Sequence, residues 1–180
     1  MPVKMTLPRA FSQSWHSAMV NSRAKGSQFE RSVATCLLSE LGLVFKRDLE
    51  QYRQGDRGDL ICQDMDFPFV VECKAYQRGT TAKPAWWDQV CKAATAAGKQ
   101  PLLVYKYDRA PWRWRVPAQV LINLGHPHGN HSMRDDAQLD WGYAVEMDTH
   151  TAMTLIREVL AHRDTEAGKA GITTTVDVKE

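Results

Sequence analysis

Residues 58–76 read Gly-Asp-Leu-Ile-Cys-Gln-Asp-Met-Asp-Phe-Pro-Phe-Val-Val-Glu-Cys-Lys-Ala-Tyr. The run from Phe69 to Tyr76 starts apolar and is bounded by turn-forming residues at 64–68 and a break at 79–84, which predicts a strand. Successive strand residues face opposite sides, so Glu72 and Lys74 point together and Cys73 points away. A charged pair in an apolar strand is costly to bury without a purpose. Residues 59–63 predict a second, shorter strand. Beginning at Asp59, it can bring a second carboxylate beside Glu72. Two close carboxylates repel, and a divalent cation resolves the repulsion. A lysine beside such a cation can orient a water or help remove its proton.

Working upstream, Phe29, Val33, Leu37, Leu38 and Leu41 recur at helical spacing, predicting a helix over 27–41 that Gly42 ends. It carries Glu30, three residues after a possible cap at Ser27. Residues 43–49 can form a strand, and 51–58 a polar loop. Downstream, 85–97 is Ala-rich and helical, 102–107 is an apolar strand, and 112–116 alternates as another strand. Residues 117–124 suggest a short helix or turn, 143–147 a last strand, and 151–162 a helix capped by Asp148. The order α-β-β-β-α-β-β-β-α predicts an α/β fold, one central mixed sheet flanked by helices. Residues 1–25 read as a basic arm, 26–163 as the domain and 164–180 as a flexible tail.

The 180 residues suit one domain, and 43% hydrophobic with 24% charged residues argues against global disorder. No apolar run is long enough to span a bilayer, and the N-terminus has no signal-peptide core. Cys36, Cys62, Cys73 and Cys91 stand singly, without Cys-x-x-Cys spacing, which predicts free thiols in a cytoplasmic setting. Net charge is only +2, but it is unevenly spread. Residues 1–26 carry four bases and no acid, 92–115 six bases against Asp108, and 134–166 three bases against eight acids. Such asymmetry suits a polyanion bound on one side, as it also suits ordinary surface charge.

Taken singly, Glu30 can be a capping residue, Asp59 a turn residue, and Glu72 with Lys74 an ion-paired strand face. Together, with Glu72 thirteen positions after Asp59, the set resembles the signature of the PD-(D/E)XK nuclease superfamily. Gly58 stands where that signature has proline. Lys25-Gly26-Ser27-Gln28-Phe29-Glu30 resembles the opening of the Holliday-junction-resolvase-like branch. The run through Trp86, Gln89, residues 98–106 and Trp112-Arg113-Trp114 is similar to phage and prophage resolvase-like proteins. The resemblance spans about residues 24–160 and implies a restriction-endonuclease-like core. It implies that Asp59, Glu72 and the Cys73 backbone carbonyl hold Mg2+, with Mn2+ able to substitute. Glu30 would contribute directly or through water, and Lys74 would position the attacking water. Cleavage would leave 5′-phosphate and 3′-hydroxyl ends.

The expected function is a Mg2+-dependent DNA endonuclease selective for branched DNA, acting as a homodimer whose interface involves the N-terminal arm or 112–116. A same-fold nuclease with a restriction- or repair-like target, or a silent nucleic-acid-binding domain, are the alternatives. Arg57, Gln89, Lys92 and Arg113 are the candidate DNA contacts, with Lys46, Arg47, Arg53, Lys99 and Arg115 behind them. Trp86 and Trp87 are expected to pack under the sheet rather than wedge a branch point. The irregular spacing of His126, His128 and His131 favours a polar loop over a zinc site.

Overall fold

The computed structural model describes residues 9–48, 58–125 and 141–172. The elements are α1 (Arg9–Leu41), β1 (Phe45–Arg47), β2 (Leu60–Cys62), β3 (Phe69–Tyr76), α2 (Pro84–Ala97), β4 (Gln100–Tyr107), β5 (Arg113–Pro117), α3 (Ala118–Gly125), β6 (Ala144–Met147) and α4 (Thr149–Ile172). A short 3-10 turn, Trp141–Tyr143, leads into β6. The six strands form one sheet in chain order. All neighbours are antiparallel except β3 and β4, which run parallel. Parallel neighbours need a crossover, and α2 supplies it.

The sheet is apolar on both faces because helices cover both. On one side, Phe29, Val33 and Leu37 of α1 and Met153 and Ile156 of α4 pack on Phe69, Val71, Cys73, Leu102, Val104 and Trp114. On the other, Trp86, Trp87, Val90 and Ala94 of α2 pack on Val70, Leu103, Tyr105 and Tyr107. The alternation along β3 thus divides its side chains between the two layers, as the period of a strand demands. Cys73 lies in the first core, and Glu72 and Lys74 face the α2 side.

Local signals set the element ends. Pro84 opens α2, and Gly98, at φ 64°, closes it with its N–H directed to the Ala94 and Thr95 carbonyls. Gly42, at φ 73°, ends α1. The Asp148 carboxylate accepts from the Thr151 N–H at 2.8 Å, the expected cap on α4. All four cysteines are free. No helix among the described residues is long and apolar enough to cross a membrane.

Three details differ from the sequence reading. The helix expected from residue 27 begins at Arg9 and passes through Gly26 without a break, so Ser27 is not its cap and Glu30 not its capping-box partner. Tertiary contacts override the low helix propensity of one glycine. The last helix continues to Ile172. Finally, β5 lies between β4 and β6 with Trp114, Arg115 and Val116 buried, so 112–116 offers no free strand edge for a dimer.

Trp87 is fully buried at the centre of the α2 layer. Replacing it by alanine should cost about 3–5 kcal/mol, read as a lower urea midpoint.

Candidate active site

The site forms where β2, β3 and α2 meet. Its first member is placed by backbone pairing. The Asp59 N–H donates to the Val71 carbonyl at 2.7 Å, and its carbonyl accepts from the Asp48 N–H at 2.9 Å. These bonds turn the carboxylate back over β3, where Oδ2 accepts from the Cys73 N–H at 2.6 Å. Gly58 makes the close approach possible. A Cβ there would stand 2.6 Å from the Val71 carbonyl oxygen and 2.7 Å from Val70 Cγ1. Glycine at this point is therefore a steric requirement of the β2–β3 junction.

Glu72 is 1% exposed. Its Oε1 receives two donors: Lys74 Nζ at 2.6 Å and Gln89 Nε2 at 2.8 Å. The Gln89 amide oxygen in turn accepts from Lys74 Nζ at 3.0 Å. Gln89 thus closes a three-membered polar ring above β3, and α2 delivers it there. Glu72 Oε2 is buried and has no hydrogen-bond partner. Burial raises the Glu72 pKa first, and the nearby negative charge of Asp59 adds to it; Lys74 pulls the other way, and the result is about 7. For Lys74, burial works against the charged form, but the Glu72 carboxylate outweighs it and the pKa rises.

Glu30 reaches the site's surroundings from α1 and enters an ion pair with Arg47 Nε of β1, while Arg47 Nη2 donates to Ser27 Oγ at 3.0 Å. Among the described residues, no three His, Cys, Asp or Glu side chains gather as a ready-made metal cluster. The donors on hand are the Asp59 and Glu72 carboxylates, with backbone carbonyls of β3 beside them. An all-oxygen set with an unpartnered buried carboxylate oxygen suits a small hard cation that keeps several of its waters.

Of the other candidates, Lys92 and Arg113 are exposed, Lys92 on α2 and Arg113 at the start of β5. Arg57, Arg53 and the three histidines lie outside the described residues. Lys99 is held by Asp66 at 2.7 Å. Arg115 is buried, its guanidinium over the Trp87 ring and 3.7 Å from Glu146 Oε2, which also accepts from the Tyr105 hydroxyl at 2.8 Å. Arg115 thus belongs to the packing under α2, and the expected basic strand face reduces to Arg113. The sequence reading missed Arg47 as the partner of Glu30. Only the β1–α1 contact reveals that pairing.

The chain matches, over residues 21–159, the family described as "Phage putative PDDEXK endonuclease". It belongs to that family. The six-stranded mixed sheet with helices on both faces is the restriction-endonuclease-like core that the sequence implied. One similar solved structure is Hjc, a Holliday junction resolvase from the hyperthermophilic archaeon Archaeoglobus fulgidus. It shares 19% identity, covers 52% of this chain and 76% of its own, and has a TM-score of 0.40. At that level the likeness adds nothing to the family match. No curated protein matches the chain.

The raised pKa of Glu72 fixes a sign. Its folded-state value, about 7, lies above the ordinary 4.5. The folded chain therefore holds this proton more tightly than the unfolded chain. Without metal, the stabilisation linked to that proton is complete below about pH 4.5 and is lost as pH rises through 7. Chelator-treated wild type should lose stability over that window relative to Glu72→Gln, by thermal melting at stepped pH. Divalent cation should reduce the loss.

Proposed function

We propose that this PDDEXK endonuclease is a Mg2+-dependent DNA endonuclease that hydrolyses phosphodiester bonds, selects branched DNA by structure and acts as a homodimer. The observation that carries the reading is the buried Asp59–Glu72 pair, with a carboxylate oxygen left unpartnered and Lys74 fixed beside it. Asp59, Glu72 and the Cys73 carbonyl would hold Mg2+ or Mn2+, and Glu30 would join directly or through water after exchanging its Arg47 partner. The bound cation would supply Lewis-acid stabilisation of phosphate charge and a more acidic water.

The chain's own residues do the rest. Lys74, tethered to Glu72 and Gln89, presents its ammonium on the strand face where a phosphate would meet the two carboxylates. There it orients the attacking water and offsets charge that grows in the transition state. Gln89 keeps Glu72 and Lys74 in register. Lys92, Arg113 and Arg57 would contact backbone phosphates, setting position without reading bases. The protein would act in the cytoplasm. A four-way junction presents two equivalent strands about a two-fold axis, which an isologous dimer matches. With β5 internal, the N-terminal stretch read as an arm, which from Arg9 onward is the start of α1, remains the proposed source of that interface.

Cleavage should need Mg2+ or Mn2+, stop in EDTA and be weak with Ca2+. Undiminished cutting in chelator would overturn the reading. Asp59→Asn and Glu72→Gln should each lower cutting at least about 100-fold while still binding DNA. Lys74→Ala should also lose activity but lose less metal affinity by calorimetry, since lysine is no ligand.

Substrate choice is a separate measurement. Labelled four-way junction, fork, linear duplex and single strand are compared in Mg2+, and the junction should be cut fastest, with paired nicks. Equal rates on linear duplex would refute branch selectivity. Neutralising Arg57, Lys92 or Arg113 should reduce the slope of log affinity against log salt by roughly one unit each.

A further inference from the structure

Beyond Lys74, β3 carries one more side chain on the same face, Tyr76. It is 42% exposed, large for an aromatic residue beside a buried site. Its ring lies nearly parallel to Trp86, with centroids 4.7 Å apart and planes 23° apart. The Lys83 ammonium stands 5.0 Å from the Tyr76 centroid and 5.4 Å from that of Trp86. Those three distances form a nearly equilateral triangle. The nitrogen therefore sits alongside the stack. A nitrogen over the outer face of Tyr76 would be separated from Trp86 by the ring spacing plus its own height. The outer face of Tyr76 is left uncovered by both neighbours.

The platform is also held stiffly. Trp86 is buried and leans on Tyr105 and Tyr107 at 6.1 and 6.2 Å. The Tyr107 hydroxyl donates to the Thr81 carbonyl at 2.6 Å, pinning the turn that leads to Lys83. Gly79, at φ 144°, packs so close to the Tyr107 ring that a Cβ would collide with it. A rigid open ring flanked by an ammonium is complementary to a nucleotide: the ring stacks on a base, and the cation meets the phosphate.

We infer that Tyr76 and Lys83 form a seat for one unstacked nucleotide of the strand being cut, the base on the outer face of Tyr76 and its phosphate at Lys83 Nζ. This deepens the endonuclease reading and rests on it for the identity of the strand. In continuous duplex both faces of each base are taken by stacking neighbours, so the seat fills only where a strand leaves the stack. It therefore ties selectivity for branched or single-stranded DNA to a residue two positions past Lys74.

The test uses the full-length protein in EDTA, so that binding is read without cleavage. Single strands and four-way junctions carry 2-aminopurine at successive positions, and fluorescence and affinity are measured together. Wild type should quench the probe at particular positions. Tyr76→Leu should abolish that quenching and weaken single-strand binding about ten- to hundredfold, the scale of one lost base stack, with linear duplex affinity unchanged. Tyr76→Phe, which keeps the ring, should behave as wild type. Lys83→Gln should reduce the salt slope by about one unit. Wild-type binding without quenching at any position overturns the seat, as does equal weakening of single strand and duplex by Tyr76→Leu. If Tyr76→Leu does not fold, an unchanged salt slope in Lys83→Gln, which leaves the stack in place, also overturns it. Failure of wild type to bind any of these DNAs overturns the endonuclease reading instead.

Discussion

A carboxylate buried in the middle of a strand must be compensated by its surroundings, and Glu72 imposes that demand on the whole α2 side of the sheet. Lys74 comes from the same strand two residues on, at no topological cost. Gln89 comes from a helix that lies there for another reason. Since β3 and β4 are parallel, the chain between them must cross one face of the sheet. That crossover is α2, and it runs over the face Glu72 occupies. The parallel pairing of β3 with β4 thus puts an amide above the buried pair. The remaining imbalance, an unpartnered carboxylate oxygen beside Asp59, is the kind a protein retains at a functional site.

The same strand serves two purposes by alternation. Phe69, Val71 and Cys73 join the core under α1 and α4, while Val70, Glu72 and Lys74 face α2. Burial on the first face holds β3 rigid, which lets the second face carry charge without distorting. Close approach at Gly58 contributes to this rigidity. It lets the Asp59 backbone join the ladder with Val71 while its carboxylate caps the Cys73 N–H. Position and charge are therefore set by one short piece of backbone pairing.

The packing under α2 uses polar groups as well. Arg115, Glu146 and Tyr105 bring a guanidinium, a carboxylate and a phenol together beneath Trp87. The cation offsets acid at the β6 edge and lies over an aromatic face, an arrangement that favours a buried arginine. A basic residue on an alternating strand need not face solvent. Arg113 and Arg115 share a face, yet only Arg113 stays exposed, because Arg115 lies against Trp87 of α2.

Much of this was legible in residues 58–76. Strand alternation alone places Glu72 with Lys74 and against Cys73, since a period of two is a local property of the backbone. The caps at Gly42 and Asp148 were legible for the same reason, each being a matter of local dihedrals and hydrogen bonds. Tertiary structure decided what depends on distant chain segments meeting. It ran α1 through Gly26, because packing outweighs the modest cost of one helical glycine. It paired Glu30 with Arg47, buried Arg115 and made β5 an inner strand, because strand order follows from pairing energies that no single segment contains. It also set Lys83 beside the Tyr76–Trp86 stack, since a turn pinned on Tyr107 brings those residues together.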